Sequence, residues 1–129
     1  MLIEINLANS YLVKTHIKIW ELYNKLYSNP QKTLFVIDSS NRLFGSITPG
    51  DIARFENKFS HENFSSSIFD SEAQDIAFRD AVFLSSDNLH NELEEKINSN
   101  LHRVFPIVNK LKQVKSIYIP ELSNKKFNK

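Results

Sequence analysis

With 129 residues, 41% of them hydrophobic and 24% charged, the chain has the size and balance of a single globular domain built around one core. Sixteen basic against fifteen acidic residues leave a net charge of +1, too little to hold a phosphate backbone by bulk electrostatics, so nucleic acid is not an expected partner. The chain has no cysteine, which excludes disulfides, thiolate metal sites and a thiol nucleophile and fits a cytoplasmic setting; Met1 to Asn6 lacks the pattern of a secretory signal, and no 18-residue apolar run offers a membrane span.

Ile19, Leu22, Tyr23, Leu26 and Tyr27 recur at helical spacing and predict a first helix, with Thr15 available as N-cap and Pro30 past the end. Thr33 to Ile37 is short, β-branched and aromatic, and the polar cluster Asp38 to Asn41 separates it from Arg42 to Ile47, which reads as strand, turn, strand. At Thr48 the pattern changes. Thr48 can cap, Pro49 suits the first helical position and Asp51 falls at the third, as in a capping box, so a helix starts there with Ile52, Phe55 and Phe59 on one side. Ser60 to Ser67 reads as a polar connection. The chain's two glycines, Gly45 and Gly50, are each expected to mark a place where the backbone demands glycine.

The second half repeats the order. Ala81 to Leu84 reads as a short strand, Ser86 to Asn88 supply caps, and Leu89, Leu93 and Ile97 form a helical stripe. Val104 to Val108 and Val114 to Ile119 are two more strands across the polar turn at Asn109 to Lys112. Ser123 to Lys129 reads as a tail or linker. Phe35 and Phe105, Ile37 and Ile107, Ser46 and Ser116, and Ile47 and Ile117 all stand 70 residues apart, which points to an internal duplication. Each half is too small to bury its own sheet well, so the halves are expected to pack about a pseudo-twofold axis, with clefts between them as natural ligand sites.

These elements carry a resemblance to the CBS-domain family. The match lies in Thr33-Leu34-Phe35-Val36-Ile37-Asp38 and in Arg42-Leu43-Phe44-Gly45-Ser46-Ile47-Thr48-Pro49-Gly50-Asp51-Ile52, similar to a strand ending in Asp and a hairpin leading into a Gly-x-x-Thr-x-x-Asp signature. Val104-Phe105-Pro106-Ile107-Val108-Asn109 resembles the family's apolar strand with an internal Pro. Spanning roughly residues 8 to 122, the resemblance implies an α/β (α+β) fold of two motifs, each β-α-β-β-α. It places a first motif at 8–60, a second, degenerate one at 66–122 lacking most of its last helix, and a tail at 123–129, all within one module over 1–129.

In that family the residues resembling Thr48 and Asp51 contact the phosphate and ribose of an adenosine-containing ligand, commonly AMP, ADP, ATP or S-adenosylmethionine. The resemblance thus implies Gly45, Ile47, Thr48, Asp51 and Arg54 as the ligand-binding set, with no catalytic residue and no metal. The chemistry of these residues is compatible with that role. A helix N-terminus suits a phosphate, Thr48 adds a hydroxyl, Asp51 can accept two hydrogen bonds from a vicinal diol, Arg54 can reach an anion, and Gly45 permits close approach to the backbone. Thr48 and Asp51 also make an ordinary capping box worth about 0.5 to 2 kcal/mol, which needs no ligand.

The second half departs from the signature. A 70-residue spacing sets Lys115, Tyr118 and Glu121 opposite Gly45, Thr48 and Asp51; sliding by one sets Pro120 opposite Pro49 and Leu122 opposite Asp51. Neither register restores the motif, so at most one nucleotide site per chain is expected. The ending Val114 to Leu122 is similar to CBS pairs that precede a sugar-phosphate nucleotidyltransferase domain, which implies a C-terminal catalytic domain while this segment itself has no turnover. His16, His61, His90 and His102 show no metal spacing, Glu92, Glu94 and Glu95 read as a solvated helix face, and Ser65 to Ser67 lack a nucleophile-elbow context. Lys125, Lys126 and Lys129 read as a solubilising tail, and Trp20, Tyr23 and Tyr27 as core or dimer packing. The expected function is a regulatory module that binds an adenine nucleotide, forms a homodimer through its helices and modulates an attached or partner enzyme. The alternative is a ligand-free dimerisation or assembly module.

Overall fold

Short runs of β-branched and aromatic residues form the strands, and stretches of helical periodicity between them form the helices. The computed structural model describes residues 2–4, 9–61, 68–99 and 104–119. In chain order the elements are β1 (Leu2–Glu4), β2 (Leu12–Lys14), α1 (Ile19–Ser28), β3 (Leu34–Ile37), β4 (Leu43–Ile47), α2 (Pro49–His61), α3 (Ala73–Ile76), β5 (Leu84–Ser85), α4 (Leu89–Ser99), β6 (Phe105–Val108) and β7 (Val114–Tyr118). The expected mixed α/β class is observed, with two small sheets and four helices among the described residues. The chain divides into two compact units, Asn9–Ala81, and Met1–Ala8 with Val82–Lys129.

In the unit Asn9–Ala81 the sheet order is β2-β3-β4. Strand β2 lies parallel to β3, Leu12 opposite Phe35, and parallel neighbours need a crossover, which α1 supplies. The central strand β3 is buried along its whole length, which is why it reads as a continuous apolar run and not as an alternation. Ile19, Leu22 and Leu26 of α1 join Leu34 and Val36 of β3, Ile47, Ile52, Ala73 and Ile76 in one core. That cluster fixes α2 relative to the end of β4.

Helix α1 begins at Ile19, not after Thr15 as the spacing predicts; Lys18 is the N-cap and makes no side-chain cap bond. The physical reason is tertiary. The Ile19 N–H donates to the Ser71 carbonyl at 3.1 Å, while the Thr15 N–H donates to the Ile37 carbonyl and prolongs the β2–β3 pairing. At the other end Asn29 is extended, as the residue before a proline must be, and its buried amide donates to the Thr33 and Ser10 carbonyls at 2.8 and 3.3 Å. Residues 68–79, where the sequence pattern showed no element, hold a 3-10 turn at Ile68–Asp70 and α3, whose capping box joins Glu72 and Asp75.

In the other unit the sheet order is β1-β7-β6-β5, with β1 antiparallel to β7 and β5 parallel to β6. Its core holds Leu84, Phe105 and Ile107, with Val82, Leu89 and Tyr118 packed against it. The strand expected over Ala81 to Leu84 is confined to Leu84–Ser85. Glu94 and Glu95 are exposed as expected of a solvated face, but Glu92 is half-buried and its carboxylate accepts the Ser85 N–H at 3.0 Å. Ser65 to Ser67, His102, Pro120 to Leu122 and the tail from Ser123 lie outside the described residues, as do the side chains of His61, Leu93 and Ile97.

The two hairpins share one register. Leu34, Phe35, Val36 and Ile37 pair with Ile47, Ser46, Gly45 and Leu43; Phe105, Pro106, Ile107 and Val108 pair with Tyr118, Ile117, Ser116 and Val114. Both shift register at the last step, and Asn41 and Lys112 occupy the same left-handed turn position with φ of 66° and 65°. Equivalent positions are therefore 71 residues apart, which replaces the 70-residue spacing of the sequence identities.

Candidate functional site

Strand β4 ends at Ile47, whose side chain is fully buried in the core opposite Leu34, so Ile47 anchors the junction and offers no side-chain surface. Thr48 then caps α2, Pro49 opens it and Asp51 occupies its first turn. The Asp51 side chain is 9% exposed, and both of its oxygens are engaged within the chain. Its Oδ2 accepts the Thr48 N–H at 2.9 Å and the Thr48 hydroxyl at 3.0 Å. Its Oδ1 accepts Arg54 at 2.6 Å, from a guanidinium that is 73% exposed. The Asp51 and Ile52 N–H groups both turn back to the Thr48 carbonyl. Thr48, Asp51 and Arg54 are thus brought together.

The geometry makes half a capping box. Asp51 reaches back to the Thr48 backbone, but the Thr48 hydroxyl donates to the carboxylate instead of accepting from the helix. Gly50 sits under this group: a Cβ there would lie 3.5 and 3.7 Å from the two Arg54 terminal nitrogens and 3.7 Å from Thr48 Oγ1. At this junction a helix N-terminus, a hydroxyl and a guanidinium favour an anion, and one carboxylate oxygen, Oδ1, becomes available to a ligand hydroxyl whenever Arg54 moves off it.

Gly45 does something different from what its motif position suggests. A Cβ on Gly45 would lie 2.5 Å from the Phe78 carbonyl oxygen and 3.1 Å from Ala77 Cβ. The close approach that glycine permits is made by the chain's own backbone, since Phe78 pairs with Ser46 through N–H to carbonyl bonds of 3.0 and 2.8 Å. Arg79 completes this clamp, its guanidinium 3.6 Å above the Phe44 ring and its Nε donating to the Phe44 carbonyl at 2.9 Å. The glycine was a visible signal in the sequence. Its partner was not, because nothing local to Phe78 announces a strand.

By the 71-residue equivalence, the counterparts of Gly45, Ile47 and Thr48 are Ser116, Tyr118 and Ile119, and the counterpart of Asp51 is Leu122. Ile119 is fully buried, so a branched hydrocarbon stands where the first motif has its hydroxyl. Elsewhere, the Tyr23 hydroxyl donates to Glu56, and burial first, then that carboxylate, push the phenol well above its usual range. Tyr23 braces α1 against α2, whereas Trp20 and Tyr27 are exposed, at 54% and 49%. His90 pairs with Glu94 at 3.0 Å, and among the described residues no cluster of three metal-ligating side chains occurs. Among the described residues no helix is long and apolar enough to cross a membrane.

No protein-family model and no curated protein matches the sequence. Solved structures do match in fold. CbpB from Streptococcus agalactiae superposes with a TM-score of 0.72 at 14% identity, over 91% of this chain and 72% of that one. CBSX2 in complex with AMP gives a TM-score of 0.72 at 13% identity, over 99% of this chain and 95% of that one. The CBS domain pair of protein MJ0100, in complex with 5'-methylthioadenosine and S-adenosyl-L-methionine, gives 0.60 at 22% identity, over 90% and 86%. These likenesses cover nearly the whole chain and carry one conclusion about architecture: the chain has the fold of a CBS-domain pair.

Proposed function

We propose that this chain is a regulatory module that binds an adenosine-containing ligand, of the kind of AMP, ADP, ATP or S-adenosylmethionine, at the start of α2. The observation that supports it most is the β4–α2 junction, where Thr48, Asp51 and Arg54 converge on a helix N-terminus in a fold whose solved examples include complexes with AMP and with S-adenosyl-L-methionine. Occupancy of that turn regulates a catalytic partner only if the ligand has unequal affinity for two arrangements of the assembly. The partner in this reading is an attached or associated enzyme. The resemblance of Val114 to Leu122 to segments preceding sugar-phosphate nucleotidyltransferases supports that class of enzyme, and the exposed Trp20 and Tyr27 of α1 support a homodimer formed through the helices.

Thermal melting with each of the four compounds at millimolar concentration tests the reading, because a ligand that binds only the folded state raises the melting temperature. At least one compound is expected to do so in the wild type and none in Asp51→Ala. The comparison is of ligand-induced shifts, since losing the cap alone lowers stability by about 0.5–2 kcal/mol. One observation favours a second reading, an assembly module without a ligand: both Asp51 oxygens are already satisfied inside the chain. Flat melting curves together with a stable dimer in sedimentation equilibrium would establish it instead.

A further inference from the structure

Thr48 and Arg54 hold the Asp51 carboxylate in unequal ways. Oδ2 is fixed by the N–H and hydroxyl of Thr48, the residue that caps the helix, so those two bonds persist as long as α2 keeps its first turn. Oδ1 is held by one long side chain that is 73% exposed. The bond is short and charge-assisted, yet a guanidinium this open to water can leave by moving alone, without disturbing the core or the cap. While it stays, a ribose hydroxyl finds no acceptor at Oδ1.

We propose that Arg54 is a latch on Asp51 that a ligand's phosphate releases, so that the site selects phosphorylated adenosine compounds over uncharged nucleosides. The inference rests on the ligand reading above and goes beyond it by assigning a specificity-determining residue. A nucleoside that displaces Arg54 exchanges a charge-assisted bond for a neutral one and leaves the cation to water. A nucleotide supplies both replacements: its ribose hydroxyl takes Oδ1, and its phosphate takes the guanidinium. The released Arg54 needs to travel little, because its terminal nitrogens already lie beside Gly50 in the first turn of α2, where the helix itself favours an anion. The charge stays paired throughout the exchange.

Calorimetric titration of the whole chain with AMP and with adenosine tests this in the wild type, in Arg54→Ala and in Asp51→Ala. The wild type is expected to bind AMP roughly tenfold or more tightly than adenosine, the difference between keeping and losing a charge-assisted contact. In Arg54→Ala, AMP should weaken while adenosine tightens, because Oδ1 is then open from the start. Adenosine binding that is unchanged or weaker in Arg54→Ala overturns the latch even where AMP loses affinity, since a simple phosphate grip does only that. Absence of AMP binding in the wild type, or AMP binding undiminished in Asp51→Ala, overturns the ligand reading and the latch with it. Arg54 is a surface residue, so melting curves of Arg54→Ala should match the wild type within about 1 kcal/mol of stability.

Discussion

At Gly45 the absence of a side chain is a packing requirement. A methyl group there would collide with a backbone carbonyl at 2.5 Å, and a carbonyl paired to Ser46 cannot turn aside as the end of a flexible side chain can. Gly45→Ala is therefore expected to destabilise the fold by about 1–3 kcal/mol in urea titration, the range typical of forced overpacking. Gly50 makes the opposite case, since a methyl there meets only Arg54 and Thr48 at ordinary contact distances, and neither glycine has a positive φ. Gly50→Ala should leave stability unchanged or raise it by up to about 1 kcal/mol, because alanine is the better helix former. Equal stability of the two variants would overturn the assignment of the clamp. The sequence treated both glycines alike. The Thr48–Asp51 pairing was legible because its partners stand three residues apart on one turn, whereas the contact that explains Gly45 arrives from beyond α2 and α3.

Elements were legible in proportion to their length and their self-sufficiency. Helix α2 and the β3–β4 hairpin carry their own caps, periodicity and turn residues. By contrast β1 and β2 have three residues each, too few to show a period of two, and α3 has four; partners elsewhere in the chain hold them. The hairpin turns show how much chemistry a single residue can set. Asp38 Oδ1 accepts the Ser40 and Arg42 N–H groups at 2.8 and 2.9 Å, and Oδ2 accepts Arg42 Nε at 3.1 Å. In the second hairpin Asn109 Oδ1 accepts the Leu111 and Gln113 N–H groups at 2.9 and 3.0 Å, so the same turn is built with and without a charge. The Arg42 N–H first, then the Ser40 N–H and the Arg42 guanidinium, hold the Asp38 carboxyl below its usual range. An unfolded chain therefore takes up this proton at higher pH than the folded one. The stabilisation is present above the ordinary carboxylate range and disappears as pH falls through the lowered value. Asp38→Asn should keep the turn, as Asn109 does, and lose this dependence. Melting temperatures measured from about pH 5 down to about pH 2 should fall more steeply for the wild type than for Asp38→Asn, and parallel curves would refute the assignment.

Across the whole molecule the duplication was legible, but its register was not. Four identities at a spacing of 70 residues suggest one alignment, while strand pairing and turn geometry impose 71. The sequence misleads here for a physical reason: β3 and β6 are buried along their entire length, so their apolar runs match nearly as well after a one-residue slip. Such a slip would turn every side chain of the hairpin to the opposite face, and the positive-φ residues Asn41 and Lys112 forbid it by fixing where each turn falls. The correct register decides how many sites one chain can offer. It sets buried Ile119 opposite Thr48 and Leu122 opposite Asp51, so the second motif has neither the hydroxyl nor the carboxylate on which the first depends. Titration with AMP is accordingly expected to saturate at one ligand per chain, with Asp51→Ala removing all of the binding heat. Saturation at two equivalent ligands per chain would mean that the second turn binds without either group, and the chemistry assigned to Thr48 and Asp51 would then not be what recognises the nucleotide.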